Sequence, residues 1–332
     1  MDGETTDGPG RPPGTVMSPA GTVKRQRPPD ALGAAVTAVE DLYVIGHFGI
    51  AHVPATTWRL RVEGRVRRPL ELDLDALRSM PGVTEQAVLE CFGNPLRPAQ
   101  PTRRVGNVVW RGTPVAAVLE LAGADDAALV WAEGHDSGVF EGTTCTEYLK
   151  DLPLDVVRER GILAYEMNGE PLTIEHGHPV RLFVPGYFGT NNVKWLRRMT
   201  VADDRPEHLF TTVLYQRSVP GGPGFAPVRD LDVNSLVTEV RGTGSTLRVS
   251  GWAWGSAEVV DVEVGVDDAG EPVRAVLAPP VGGRFSWRGF HAEVPHPPDA
   301  RAVWARARDA SGARQPTSGA RNARHVVELG AG

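Results

Sequence analysis

The sequence has 332 residues, 41% of them hydrophobic and 23% charged, a balance that fits a globular protein with room for two domains and a sizeable core. A formal net charge of −6 argues against a dedicated nucleic-acid binder. Two cysteines, Cys91 and Cys145, exclude a disulfide framework and any paired-cysteine zinc or haem motif.

The first 33 residues are rich in glycine and proline (Gly8, Pro9, Gly10, Pro12, Pro13, Gly14, Pro28, Pro29). Such a stretch cannot bury enough surface to offset its ordering entropy, so a disordered tail is expected over residues 1–33. It contains no apolar signal core, and the best apolar run, residues 31–53, is broken by Glu40, Asp41 and His47. No membrane span and a cytoplasmic address are therefore expected.

A first domain spans residues 34–219. Residues 57–64 alternate polar and apolar side chains as a strand does, and residues 74–80 predict a short helix with Asp73 or Asp75 near its start. Val88-Leu89-Glu90-Cys91-Phe92-Gly93-Asn94-Pro95 predicts a strand end running into a polar turn. A lone cysteine beside a phenylalanine is most often a small buried hydrophobe, yet a strand–loop junction is also where sites are usually built. Residues 107–110 predict a strand. Thr113 or Pro114 opens a helix that stops at Gly123, and residues 128–131 form a strand before the polar loop Glu133-Gly134-His135-Asp136.

Two further strands, Ile162–Met167 and residues 180–184, flank the turn signal Asn168-Gly169-Glu170-Pro171. His176, His178 and Arg181 gather at the start of the second. A glycine- and amide-rich loop follows and reaches Asn191, Asn192 and Lys194. Polar loop residues usually do no more than face water, but this density of cations, histidines and backbone donors suits an anionic ligand. Residues 220–229 form a Gly/Pro-rich linker, and residues 230–332 a second, all-β domain. There Val260, Val262, Val264 and Val266 alternate strictly, and strands over 246–254, 273–277, 284–287 and 302–307 have the spacing of a small sandwich.

From about Tyr43 to His325 the chain resembles the sulfite oxidase family of molybdenum enzymes. The resemblance rests on Cys91-Phe92-Gly93-Asn94, Glu133-Gly134-His135-Asp136, Ala164-Tyr165-Glu166-Met167-Asn168-Gly169-Glu170-Pro171-Leu172, His176-Gly177-His178-Pro179-Val180-Arg181, Val193-Lys194-Trp195-Leu196 and Gly251-Trp252-Ala253-Trp254. It implies an α+β molybdopterin-binding domain of the sulfite oxidase fold, followed by an immunoglobulin-like domain that pairs two chains. It implies that Cys91 ligates a molybdenum carried by molybdopterin, a soft thiolate joining the two sulfurs of the pterin. His47, Asp136, His176, Arg181, Asn192 and Lys194 fall on positions that hold the pterin and its phosphate, where charge-assisted donors are needed. Asn191 and Asn192 stand where the family usually has arginine and serine, which weakens that clamp. Tyr215 falls on the active-site tyrosine, a phenol able to assist proton movement.

The pattern breaks in the substrate pocket. Two positions before the histidine, where sulfite-oxidising members have arginine, stands Ile45. Five positions after the cysteine, in place of another, stands Leu96, with Arg97 beside it. A third pocket arginine has no clean counterpart, although Arg321 lies near its place. A desolvated sulfite dianion needs several charge-assisted bonds, each worth about 1.5–3 kcal/mol. Losing two or three weakens its binding by several orders of magnitude, and apolar walls at Ile45 and Leu96 favour a neutral or larger organic molecule. The expectation is oxygen-atom transfer at a Cys-ligated molybdenum on an organic sulfur or nitrogen compound, with electrons passing to an external acceptor, since no haem-attachment motif is present. One alternative is a genuine sulfite oxidase whose pocket is restored by Arg97 or Arg321. The other is a non-catalytic dimeric binding module, against which the intact Cys91, His47, His176, Arg181 and Lys194 speak.

Overall fold

Alternating apolar residues build two sheets in the first domain. The computed structural model describes residues 16–17, 22–95, 100–219, 221–268 and 270–329. One sheet has the order Leu149–Pro153, Leu129–Gly134, Leu196–Ala202, Leu60–Gly64, Leu70–Leu72. Its one parallel pairing joins Leu196–Ala202 to Leu60–Gly64, strands far enough apart in the chain for the crossover that parallel neighbours require. The other has the order Glu170–Pro171, Ile162–Met167, Val105–Pro114, Val83–Glu90, with Arg181–Phe183 also paired to Ile162–Met167. Trp58 and Trp195 are fully buried in the core these sheets share with the helices, and Trp110 is fully buried in a second cluster with Phe183 and Phe285.

Three α-helices occur among the described residues, so the domain is mostly β with few helices rather than an even α+β mixture. In Leu74–Arg78 the Asp73 side chain accepts from the Ala76 N–H at 2.8 Å, satisfying one of the helix's free donors. Val115–Ala122 closes on Gly123 at φ 62°, a left-handed cap that suits glycine.

The second domain consists of two four-stranded antiparallel sheets. One has the order Asn234–Thr243, Thr246–Trp254, Arg288–Pro295, Val276–Leu277, and the other Val273–Arg274, Val259–Val266, Ala302–Asp309, His325–Glu328. The strict valine alternation holds only in part. A register shift between Val259 and Asp261 puts Val259 in the core with Val262 and Val264 and leaves Val260 half-buried.

Several expectations are corrected. Residues 284–287 are not a strand, which begins at Arg288. Phe285 and Trp287 are instead buried against the first domain: Phe285 packs with Trp110 and Phe183, and the Trp287 Nε1 donates to the Ala35 carbonyl at 2.9 Å. The expected disordered tail is folded over residues 22–33, while residues 1–15 and 18–21 lie outside the described residues. Thr22–Arg25 pairs with Val44–Gly46, and Pro29–Leu32 forms a 3-10 turn. Leu32 is buried there, and its carbonyl accepts from the Trp252 Nε1 at 2.7 Å. One leucine and one indole overcome the Gly/Pro composition because the second domain covers them. The linker is likewise partly structured, since Gln216–Ser218 and Phe225–Pro227 form a hairpin across its start.

Candidate active site

The Val83–Glu90 strand becomes fully buried over its last four residues. The Cys91 N–H continues the ladder by donating to the Arg104 carbonyl at 3.0 Å. The chain then turns through Phe92–Pro95, and the Gly93 N–H is directed at the Cys91 Sγ at 3.4 Å. Burial pushes the thiol's pKa up, against the pull of that N–H and of the Arg104 guanidinium. Cys91 lines a narrow cleft of about 70 Å³.

The opposite wall comes from the His176-to-Lys194 region. Gly177, at φ 106°, ends the Ile174–His176 turn. A Cβ on it would stand 3.1 Å from the Cβ atoms of both Arg181 and Lys194, so only a glycine lets these two cationic stems converge. Arg181 donates to the carbonyls of His176 and Asn192 at 3.0 Å each and lies over the Trp110 ring. Lys194 donates to the carbonyls of Ile45 at 2.8 Å and Glu175 at 3.0 Å. The Asn192 Oδ1 accepts from the Val184 N–H at 2.7 Å, and its amide nitrogen donates to the Tyr187 carbonyl at 3.3 Å. Asn191 also turns inward, donating to the Val228 carbonyl at 3.1 Å. Burial and the adjacent Arg181 and Lys194 charges lower the His176 pKa to about 2.

At the third side Tyr215 approaches at φ 57°, a left-handed backbone unusual for tyrosine. Its hydroxyl lies 2.5 Å from the His47 Nε2. His47 also stacks on Tyr148 and meets Phe140 and Phe210 edge-on. Burial, with Lys194 and Lys150 nearby, lowers the His47 pKa to about 4, so the ring is neutral at pH 7 and shares a hydrogen bond with the phenol whose direction follows the ring's tautomer. Burial raises the Tyr215 pKa.

The cleft therefore collects Cys91, His47, Asp136, His176, Arg181, Asn192, Lys194, Tyr215 and Ile45. Leu96 and Arg97 lie outside the described residues. Arg321 does not line the cleft: it is ion-paired with Asp232 and stacked over Phe92 and Phe188, each 4.8 Å from its guanidinium carbon. Sequence reading passed over Tyr43, Tyr148 and Thr190, which also line the cleft, and Arg104 near the thiol. The Tyr148 hydroxyl donates to the Thr190 carbonyl at 2.7 Å, and no local pattern distinguishes such a tyrosine from a core residue. Lys150 was also missed. It is fully buried behind Tyr215, donates to the Phe210 carbonyl at 2.6 Å, and has its pKa lowered by burial to about 7.

Comparison with known proteins gives this arrangement its class. The model of the oxidoreductase molybdopterin binding domain matches residues 47–210, so the chain carries a molybdopterin-binding domain of that type. It is 30% identical to the mitochondrial sulfite oxidase of Homo sapiens over 294 residues, covering 76% of this chain and 52% of the relative. It is 32% identical to the nitrate reductase of Hordeum vulgare over 192 residues, covering 53% of this chain and 21% of that one. The structure of the sulfane dehydrogenase SoxCD from Paracoccus pantotrophus superposes with a TM-score of 0.80 and 24% identity, over 98% of this chain and 86% of that one. The chain belongs to the sulfite oxidase family. It spans between half and three fifths of the length of the first sulfite oxidases it matches.

The cofactor of this family is molybdenum carried by molybdopterin, and the residues present fit it. The His176 Nε2 and the Arg181 Nε are buried with no hydrogen-bond partner, and they flank one end of the cleft. Buried polar atoms of this kind require partners, which an anionic group on the cofactor supplies. Among the described residues, no group of three or more His, Cys, Asp or Glu side chains could hold a metal ion unaided.

Proposed function

We propose that the chain transfers an oxygen atom between water and an organic sulfur or nitrogen compound rather than sulfite, with Cys91 as the protein's ligand to molybdenum. Each turnover exchanges one oxygen atom, two protons and two electrons, and the electrons leave to, or arrive from, an external partner. The bound cofactor supplies the two-electron redox change and the activated oxygen. His176, Arg181, Asn192, Lys194 and Asp136 hold its pterin and phosphate end, and the Cys91 sulfur completes the metal's protein ligation as a thiolate. Tyr215 faces the reacting region. Neutral His47 fixes its hydroxyl, so that a proton is held at the Tyr215 Oη and can move along the pair.

The observation that carries the substrate reading is the state of the cations in and around the cleft. Arg181 and Lys194 are engaged with backbone carbonyls at the cofactor end. Arg321 is spent on Asp232 behind Phe92. Ile45 contributes a half-buried apolar side chain and gives its carbonyl to Lys194. Among the described residues lining the cleft, a sulfite dianion meets apolar wall at Ile45 where it needs charge-assisted donors. An organic molecule loses little on desolvation there and gains apolar contact. We further propose that the second domain is immunoglobulin-like and pairs two chains.

Steady-state kinetics of the cofactor-loaded chain test the substrate reading. Sulfite is expected to be turned over with a KM of about millimolar or higher, and Ile45→Arg to lower that KM. Micromolar sulfite turnover by the unmodified chain would establish the sulfite oxidase alternative instead.

A further inference from the structure

We propose that Glu90 is a positioning residue through which the second domain fixes the Cys91 thiol. This rests on the reading of Cys91 as the metal's ligand and assigns a further part of the chain to the same site. Glu90 ends the Val83–Glu90 strand, and its side chain is 1% exposed. Its Oε2 accepts from the Trp254 Nε1 at 2.8 Å. Its Oε1 accepts from the amides of Asn234 at 3.1 Å and Asn94 at 3.2 Å, with the Arg321 guanidinium 3.9 Å away. Three of these four partners belong to the second domain: Trp254 ends the Thr246–Trp254 strand, Asn234 starts Asn234–Thr243, and Arg321 comes from the loop before the last strand.

Burial opposes ionisation of Glu90, while Arg321 and the three donating side chains favour it; a carboxylate only accepts, so three donors and one nearby guanidinium suit it in one arrangement. Burying such a group stabilises less than apolar packing would, and what it supplies here is a fixed geometry. That geometry acts on the thiol by simple alternation. Successive side chains in extended backbone point to opposite faces, so holding Glu90 toward the second domain turns Cys91 toward the cleft. Phe92, the next residue, is held too, by the Arg321 guanidinium stacked on it.

The network also closes around the turn. The Asn94 Oδ1 accepts from the Arg104 N–H at 2.5 Å, and the Arg104 carbonyl accepts from the Cys91 N–H. On the far side, the Asn234 Oδ1 accepts from the Gln315 amide at 2.9 Å, and the Gln315 Oε1 accepts from the Ser235 hydroxyl at 2.7 Å and the Ala307 N–H at 3.0 Å. The second domain thus presents its donors on a pre-set frame.

The test uses the full chain in a Cys145→Ser background, so that Cys91 is the one thiol. Glu90→Gln, Trp254→Phe and Asn234→Ser are compared with Val264→Ala, a core truncation of the second domain away from the network. Two quantities are read: the alkylation rate of Cys91 in cofactor-depleted protein, and the midpoint potential of the metal in loaded protein. Each network variant is expected to raise the alkylation rate about tenfold or more, as expected for losing a hydrogen bond to a charged group, and to shift the potential. Val264→Ala is expected to move neither. If Glu90→Gln does not fold, Asn234→Ser carries the comparison. The proposal is overturned if the network variants match Val264→Ala in both readings. Unchanged metal properties in Cys91→Ser would instead overturn the ligand assignment, while the alkylation comparison still decides whether Glu90 positions the thiol.

Discussion

In the proposed reaction, the contact between Tyr215 and His47 holds one pair of side chains for proton movement without a formal charge. The ring is neutral because burial and two lysines oppose its protonation. The phenol is protonated because burial opposes its ionisation, so the hydrogen bond joins two uncharged groups. Tyr215 holds this place in spite of a left-handed backbone, a strain of about 1–3 kcal/mol that surrounding contacts must offset. Tyr215→Phe keeps the ring and removes the hydroxyl. It is expected to lower kcat by about a hundredfold, the usual scale for losing a positioned proton-transfer group. The folding cost expected is about 1–3 kcal/mol, for the buried His47 nitrogen left without a partner. A kcat within threefold of the parent, with the same loss of stability, would leave the phenol a structural role only.

Short elements set the distances in the cleft, and Gly177 is the clearest case. Its left-handed φ ends one turn and lets Arg181 and Lys194 pass where a Cβ would press on both. Gly177→Ala is expected to cost about 1–2 kcal/mol through backbone strain alone. Displacing the two cations is expected to lower the molybdenum bound per chain as well. Gly312→Ala separates the two effects, because Gly312 has φ 89° with nothing within 4 Å of its Cβ position. It should lose similar stability in urea and keep its metal by elemental analysis. Equal metal loss in both variants would sink the argument from convergence. The same scale shows what sequence made legible. Ile162–Met167 and the Cys91 turn were readable because apolar runs met glycine and proline at fixed places. Tyr148 and Lys150 were not, because their roles come from strands and loops that meet only in three dimensions. Residues 284–287 misled because an aromatic-rich segment that packs between domains has the composition of a strand.

At the scale of the whole molecule, the two domains share buried surface as well as the Glu90 network. Val88, Phe188, Trp254 and Trp287 lie in one cluster drawn from both, which is why the described part of the supposed tail is folded. The second domain must therefore be well ordered for the first to work, and His325 ties its two sheets together. The residue begins the His325–Glu328 strand of one sheet, and its Nδ1 accepts from the Val237 N–H of the other at 3.1 Å, a bond that needs the neutral ring. Burial, aided by the Arg103 charge, lowers its pKa from 6.5 to about 3. Asp30, Glu328 and Arg324 border the same groove, and Arg324 is already paired with Asp268. Below pH 6.5 the unfolded chain takes up a proton that the folded chain refuses until about pH 3. The stability His325 contributes is thus fully present above pH 6.5 and is lost as pH falls, by about 1.4 kcal/mol per unit across that window. His325→Gln keeps an acceptor for Val237 and removes the titration. Between pH 7 and pH 5 the parent should therefore lose about 2 kcal/mol more than the variant in urea unfolding. Parallel losses in the two proteins would show that the ring is protonated at no cost and that the bond to Val237 does not hold the sheets together.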